Sequence, residues 1–554
     1  MRHRTNQLVR AGTPAALCLA LSCLSSKAQA AYYYFVAPDG AGEECTRAAP
    51  CALSSAVERA TAGATVILLD GVYAGGMFPQ NSGTPEAWIT FRADDCALPI
   101  LEGEGEAAAM DEDGNTASGV YMNQATYLRF IGIVSRHWDS GFTNGWTGET
   151  TEGSNGHIEY INCIGDGNSR TAFAMYSARG FTVRECIAAH SGGSPTHSWS
   201  SGIQLYAVKG TPEENIVERS VSFENADNQK KNDGSGFIVD EETTGATFRS
   251  NIGFGNGGSC MRLTRSNAVM VNFTCYHNGA NPEANSPTNP GEFYWTDQQS
   301  RDGSLLMNTI AAASGSSTDP EALRNPPDAS LLVTNLTVDS GETPFFTDPA
   351  GVNPDFRPPA AAAAQVENLG TAEGAPDVDI GFDPKCIIKA DPGVPYQQSW
   401  WEHSIDYEYI RSIGGVAKCF HPKPRTGGPD LGAYELSGEP HAWSTPGSCV
   451  PGPDPVSDPL PPVVTGGTGG SSTGGTAGAP GTGTGGDIVG TGGSGGSPPG
   501  AGGTGLGAAA GSGPVGPSQP AGCGCRLLPW QSGVSGAYPL LLLGLLLARR
   551  RRVG

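Results

Sequence analysis

Seven short segments share one pattern of apolar and polar positions: HIEYINCIGDGN (157–168), FTVRECIAAHSG (181–192), NIVERSVSFENA (215–226), ATFRSNIGFGNG (246–257), VMVNFTCYHNG (269–279), SLLMNTIAAASG (304–315) and SLLVTNLTVDSG (330–341). Each alternates β-branched or apolar residues with polar ones, bends once, and ends in a small or polar turn, which predicts two short strands per copy. Successive copies begin about 22 to 35 residues apart, the length of one solenoid coil with loops of variable size. Helical periodicity is confined to Leu53–Ala62, a segment placed to cap the first coil. The expected fold is therefore all-β, with Ile164, Ile187, Val221, Ile252 and Ile310 pointing into one apolar interior. The turn asparagines Asn162, Asn225, Asn251, Asn256 and Asn278 suit left-handed backbone and amide stacking from coil to coil. Cys163 and Cys186 fall about one coil apart, where they stack or bridge.

The segment from Tyr34 to Gly103 contains YFVAPDG, a cysteine-bracketed loop, LSSAVERATAG, ATVILLDGVYAGG and EAWITFRADDCALPILEG. It resembles the first coils of right-handed parallel β-helix proteins of the pectate-lyase type, with Gly71-Val72-Tyr73 as their turn motif. NPDFRPP and, much later, DLGAYEL (430–436) resemble the last coil of the same proteins. The resemblance spans about 400 residues. It implies a right-handed parallel β-helix, a solenoid with a short N-terminal capping helix, over residues 31–440. Lyases, hydrolases, epimerases and proteins without known chemistry share that solenoid, so activity has to be read from side chains.

The two ends of the chain bear on where it acts. Residues 1–30 carry Arg2, Arg4 and Arg10, an apolar run from Ala15 to Leu24, and Ala28-Gln29-Ala30, the marks of a secretory signal peptide. Residues 441–520 form a linker that from about Pro451 collapses to Gly, Thr, Ser, Pro and Ala; such a chain buries too little apolar surface to fold. Its typical reach is about 40–50 Å. Residues 521–554 follow with Cys523-Gly524-Cys525, an apolar run at Leu540–Ala548 and Arg549–Arg552. That order resembles the C-terminal sorting signals of myxobacterial surface proteins, and it implies an exported protein held at the membrane or outer envelope. Of 14 cysteines, ten lie between the signal and the tail, an even number that favours disulfides after export; Cys45 and Cys51 are the nearest pair. A formal net charge of −22 argues against a nucleic-acid partner.

One polar run stands out chemically. NADNQKKNDGSGFIVDEE, residues 225–242, holds Lys230 and Lys231 among Asp227, Asp233, Asp240, Glu241 and Glu242. Cleaving an acidic polysaccharide by β-elimination requires a group that neutralises the uronate carboxylate and a base that removes the adjacent proton. Carboxylates that hold calcium suit the first task, and a lysine or arginine of depressed pKa suits the second. Asp227, Asp233 and Asp240 are thus the candidate calcium ligands, and Lys230, Lys231 and Arg262 the candidate catalytic cations. Asp233-Gly234-Ser235-Gly236-Phe237 resembles the Asp-Gly-x-Gly-Phe turn of calcium-dependent, lysine-base pectate lyases. The match stops there, because Ile238, Val239 and Asp240 stand where a lysine is wanted. Asn256-Gly257-Gly258-Ser259 likewise stands where an acidic turn is wanted. Arg262 and Arg265 lie one coil on as substitute cations, and Arg265, His197 and Trp199 are candidate substrate contacts. Trp138, Trp146 and Trp295 sit in loop-like stretches fit for sugar stacking. Asp139 with Glu159, or Asp227 with Asp240, are the carboxylate pairs hydrolysis would need. The resemblance implies lyase-like action on an acidic polysaccharide; the alternatives are a non-catalytic carbohydrate-binding or adhesion β-helix and a glycoside hydrolase.

Overall fold

The structure, a computed structural model, describes residues 32–452 apart from 105–117, 123, 146–154, 197–198, 280–290, 314–320, 339–344, 373, 391–400 and 437–438. The expected signal peptide and sorting segment, and most of the linker, lie outside the described residues. No described helix is long and apolar enough to cross a membrane.

Apart from an antiparallel pair, Ile387–Lys389 with His403–Ile405, the described strands stack into three sheets of eleven, ten and eight strands, in which neighbouring strands are parallel and come from successive coils. The chain is a right-handed parallel β-helix, and each copy of the repeat supplies one strand to the first sheet and one to the second. Asn155–Ile161 and Ile164–Asp166 are such a pair, followed by Thr171–Tyr176 in the third sheet. The bend between first and second strands is a single left-handed residue. Asn162, Glu185, Arg219, Ser250, Asn272, Asn308 and Thr334 stack in this corner with φ of 49–56°. The capping helix is shorter than the periodicity predicts, Leu53–Arg59, and it buries Leu53, Ala56 and Val57 against the first coil.

The left-handed corner shifts which residues face inward. Cys163, Cys186, Ala188, Phe273, Cys275 and Ala311 lie in the coil interior with Phe130, Tyr160, Phe173, Phe237 and Phe248. Ile164, Ile187, Val221, Ile252 and Ile310 do not join them. They form an outer row on the second sheet, in a separate core. The expectation that they point inward is corrected: in three-residue strands such as Ile187–Ala189 the middle residue faces in, and both flanking residues face out. What covers this row is the C-terminal segment, which lays Phe346, Phe356, Ile380, Phe382, Ile410 and Phe420 over it. Phe223 and Phe254 stack at 4.9 Å, and Phe356 follows at 4.6 Å from Phe254. At about 1.5–3 kcal/mol per buried large side chain, five such residues match the net stability of a typical domain. The cover is thus part of the fold.

Among the described residues four disulfides join Cys45 to Cys51, Cys96 to Cys449, Cys260 to Cys275 and Cys386 to Cys419. Cys96–Cys449 carries the fold into the span expected as linker. Cys163 and Cys186 stay free and stack, with the Cys163 backbone N–H donating to the Cys186 sulfur at 3.4 Å. Of the five asparagines expected to suit left-handed backbone, Asn162 is left-handed and Asn225, Asn251, Asn256 and Asn278 are not. Asn225, Asn256 and Asn278 form an amide ladder with steps of 2.9 and 2.8 Å that ends on the Glu292 carboxyl, whose pKa burial pushes up to about 8.

The cover is also pinned by buried charge. His190 Nδ1 meets Asp166 at 2.7 Å and its Nε2 lies 3.5 Å from Glu224, while Glu224 meets His403 Nδ1 at 2.9 Å. Tyr407 donates to Asp166 at 2.6 Å. Burial by itself lowers the His190 pKa, but Asp166 and then Glu224 outweigh it and raise the value to about 9.

Two outcomes follow from this packing. A chain ending at residue 338 should lose the cover, expose the outer row and bind a hydrophobic dye or precipitate; a soluble, dye-negative product would show that the row needs no cover. The raised His190 pKa adds stability that is complete below its unfolded value near 6.5 and is lost as pH rises through about 9. His190→Gln should therefore destabilise by about 3–5 kcal/mol near pH 6, with the gap to wild type narrowing above pH 9, as read by urea denaturation across pH.

Candidate functional site

The third sheet presents the face on which NADNQKKNDGSGFIVDEE falls. Strand alternation sends Phe173, Ile203, Phe237, Met261 and Phe293 inward in one register row. Ala174, Gln204, Ile238, Arg262, Tyr294 and Arg324 make the adjoining outward row. Two residues further along, Tyr176, Tyr206 and Asp240 make a second outward row; the Tyr176 and Tyr206 ring centroids are 6.1 Å apart.

The loop before Phe237 folds on itself. The Asp227 carbonyl accepts from the Lys231 backbone N–H at 2.7 Å, and the Asp227 carboxylate accepts from that of Asp233 at 3.3 Å. Gly234 is left-handed, with φ of 76° and Ala226 backbone at 2.8 Å from where a Cβ would stand. This turn delivers Asp233 to Arg262 on the next coil, at 2.6 Å between Asp233 Oδ1 and the guanidinium. Arg262 also donates to the Asn232 carbonyl.

Burial drives the electrostatics of this site. The Asp233 side chain is 2% exposed. Desolvation raises its pKa, Arg262 pulls it back, Asp227 and Asp240 raise it further, and the balance lies at about 7. Burial also raises Asp227, against the backbone N–H groups around it, and Asp240, against Arg262 and Arg265. Burial holds Tyr176 up at about 12 and raises Tyr206, so both stay protonated phenols at neutral pH.

The candidate residues separate on this frame. Arg262, Asp233 and Asp240 come together. Asp227 braces the loop. Lys230 is exposed and Lys231 half-buried, and among the described residues no ion pair joins either to these carboxylates. Arg265 pairs with Glu241 instead, and its backbone N–H donates to Asp297 at 2.8 Å. Trp199 stands exposed at 53%; His197 and Trp146 lie outside the described residues. Trp138 and Trp295 are buried, not sugar platforms. Glu159 pairs with Arg129 on the first sheet, away from Asp139, which lies near Arg170 at 3.8 Å. Tyr176, Tyr206, Tyr294 and Arg324 belong to none of the sequence motifs. Their signal was available: each occupies an outward position once the third strands are aligned on their inward aromatics.

Asp227, Asp233 and Asp240 do not converge as a calcium cage. Among the described residues the one group of three close enough to share an ion is Cys260, Cys275 and Glu292, whose cysteines are a disulfide and offer no thiolate. The Arg262 guanidinium already occupies the Asp233 carboxyl.

No family model matches the chain, and no curated protein matches it. Among solved structures, pectate lyase Pel9A is similar at 16% identity over 74% of this chain and 97% of its own, with a TM-score of 0.40. An alginate lyase from Paenibacillus sp. str. FPU-7 is similar at 15% over 56% and 99%, with a TM-score of 0.31. The A-module of the mannuronan C-5 epimerase AlgE4 from Azotobacter vinelandii is similar at 13% over 56% and 85%, with a TM-score of 0.29. Overlaps this loose speak for no residue and no activity of this chain, which is a right-handed parallel β-helix by its own strand pairing.

Proposed function

We propose that the chain acts on an acidic polysaccharide lying on the outer face of the third sheet, with lyase-like chemistry centred on Arg262. The observation that carries this reading is the Asp233–Arg262 contact, a sealed carboxyl that holds an arginine on a face lined by Tyr206, Asp240 and Tyr294. A guanidinium matches a carboxylate as a planar fork, and tyrosine rings offer an apolar face to a sugar.

In this reading Arg262 neutralises the uronate carboxylate, which acidifies the neighbouring ring proton. Asp240, partly exposed and raised in pKa, takes that proton as its carboxylate. The released electron pair forms the ring double bond as the glycosidic C–O bond breaks. Tyr206, Asp240's register partner and a protonated phenol, gives its proton to the leaving oxygen. Solvent restores both groups. Asp233 positions Arg262 without touching the substrate. Once ionised, above about pH 7, it competes with the substrate for the guanidinium.

Purified protein offered polygalacturonate, alginate, an alternating uronate–hexosamine chain and neutral glycans, with and without calcium, should give an unsaturated, ultraviolet-absorbing product from an acidic chain. Arg262→Ala and Asp240→Asn should each cost at least about a hundredfold in kcat/KM, the scale of losing one electrostatic group at a reaction centre. Asp233→Asn should flatten a rise in KM above pH 7. Reducing ends without absorbance would replace elimination by hydrolysis, and no product under any condition would leave a glycan-binding scaffold. Export and tethering belong to the same proposal: deleting 521–554 should release a domain of unchanged Tm into the medium. Retention of the shortened protein on cells would place the anchor elsewhere.

A further inference from the structure

The outward row that contains Arg262 changes character along the solenoid. Ala174, Gln204 and Ile238 are buried, whereas Arg262, Tyr294 and Arg324 are partly exposed in consecutive coils. The Tyr294 ring has the Arg262 guanidinium carbon 5.9 Å from its centroid and that of Arg324 5.4 Å away. Packing against one ring restrains both guanidinium planes. Arg262 is further held by Asp233. The strip is therefore two cations at a fixed separation, with a ring between them that carries no charge.

We propose that Arg262, Tyr294 and Arg324 form a charge-spacing gauge, a subsite that binds an acidic polysaccharide running parallel to the solenoid axis and favours one anionic group per disaccharide. This rests on the reading that the third sheet's outer face binds polysaccharide. Two strand steps separate the arginines, about 9–10 Å. That is close to the length of two linked pyranoses. A chain in which acidic and neutral sugars alternate puts its carboxylates opposite Arg262 and Arg324 and lays the neutral sugar on Tyr294. A homopolyuronate puts an extra carboxylate over the tyrosine, where no described cation of the strip meets it and its desolvation goes unmatched.

Binding of the full-length protein to length-matched oligosaccharides tests this by calorimetry. The probes are hyaluronan fragments for the alternating pattern, oligogalacturonate for the uniform one, and a neutral cello-oligosaccharide as control. The alternating chain should bind about tenfold more tightly than the uniform one, the scale of one charge-assisted contact. Arg324→Gln should remove about that tenfold and reduce the salt dependence, Arg324→Lys should restore part of it, and Tyr294→Leu should erode the preference. Equal affinity for both acidic chains, or an unchanged affinity in Arg324→Gln, would overturn the gauge. If Arg262→Ala still abolished turnover in that case, the active-site reading would stand without it. Wild-type protein that binds no acidic chain and turns none over would bring down both.

Discussion

One left-handed residue at the corner between first and second sheets decides which way every following side chain points. Without it, the apolar alternation of Tyr160, Ile161 and onward would run straight through, and the isoleucines of the second strand would enter the coil. With it, Cys163 and Cys186 turn in while Ile164 and Ile187 turn out. A left-handed conformation is costly for a residue with a Cβ, yet the corner uses Glu185, Arg219 and Ser250 as well as asparagine. The backbone hydrogen bonds of the coils above and below hold it there, as between Glu185 N and the Glu218 carbonyl at 3.1 Å. The corner is a property of the stack rather than of the residue.

The consequence is a second core. A sheet with apolar residues on both faces has to be covered, and the C-terminal segment meets that requirement with aromatic and aliphatic side chains while Cys96–Cys449 fastens its end near the first coils. The same junction contains the Asp166–His190–Glu224–His403 network, whose members are nearly inaccessible to water. Burying such charges is costly unless they are paired and hydrogen-bonded. Here the partners come from chain segments more than 170 residues apart, so the network forms only when the cover docks in one register.

The candidate site uses the third sheet differently. Its inward row is apolar and closed, and its outward rows carry the polar chemistry, so the rigid stack itself fixes the spacing of Arg262, Tyr294 and Arg324. The loop from Asp227 to Asp233 adds a single carboxyl and seals it behind the arginine. An acidic group so placed acts through Arg262, which is why the lysines beside it in sequence matter less than the arginine one coil away.

Much of this was written in the chain. The seven copies, their variable spacing and the poverty of helical periodicity specify a β-solenoid, because alternation and turn chemistry are local properties. The Asp233-Gly234 turn and Arg262 were likewise visible as residues able to do chemistry. What the sequence left open was parity and partnership. Alternation cannot tell inside from outside once a left-handed corner intervenes, so the outer row read as interior. Nor can proximity in sequence show that Asp233 meets Arg262 rather than Lys230, or that Tyr294 stands between two arginines. Those contacts join residues about one coil apart in sequence, and only the stacking of coils, fixed by backbone hydrogen bonds in register, brings them together.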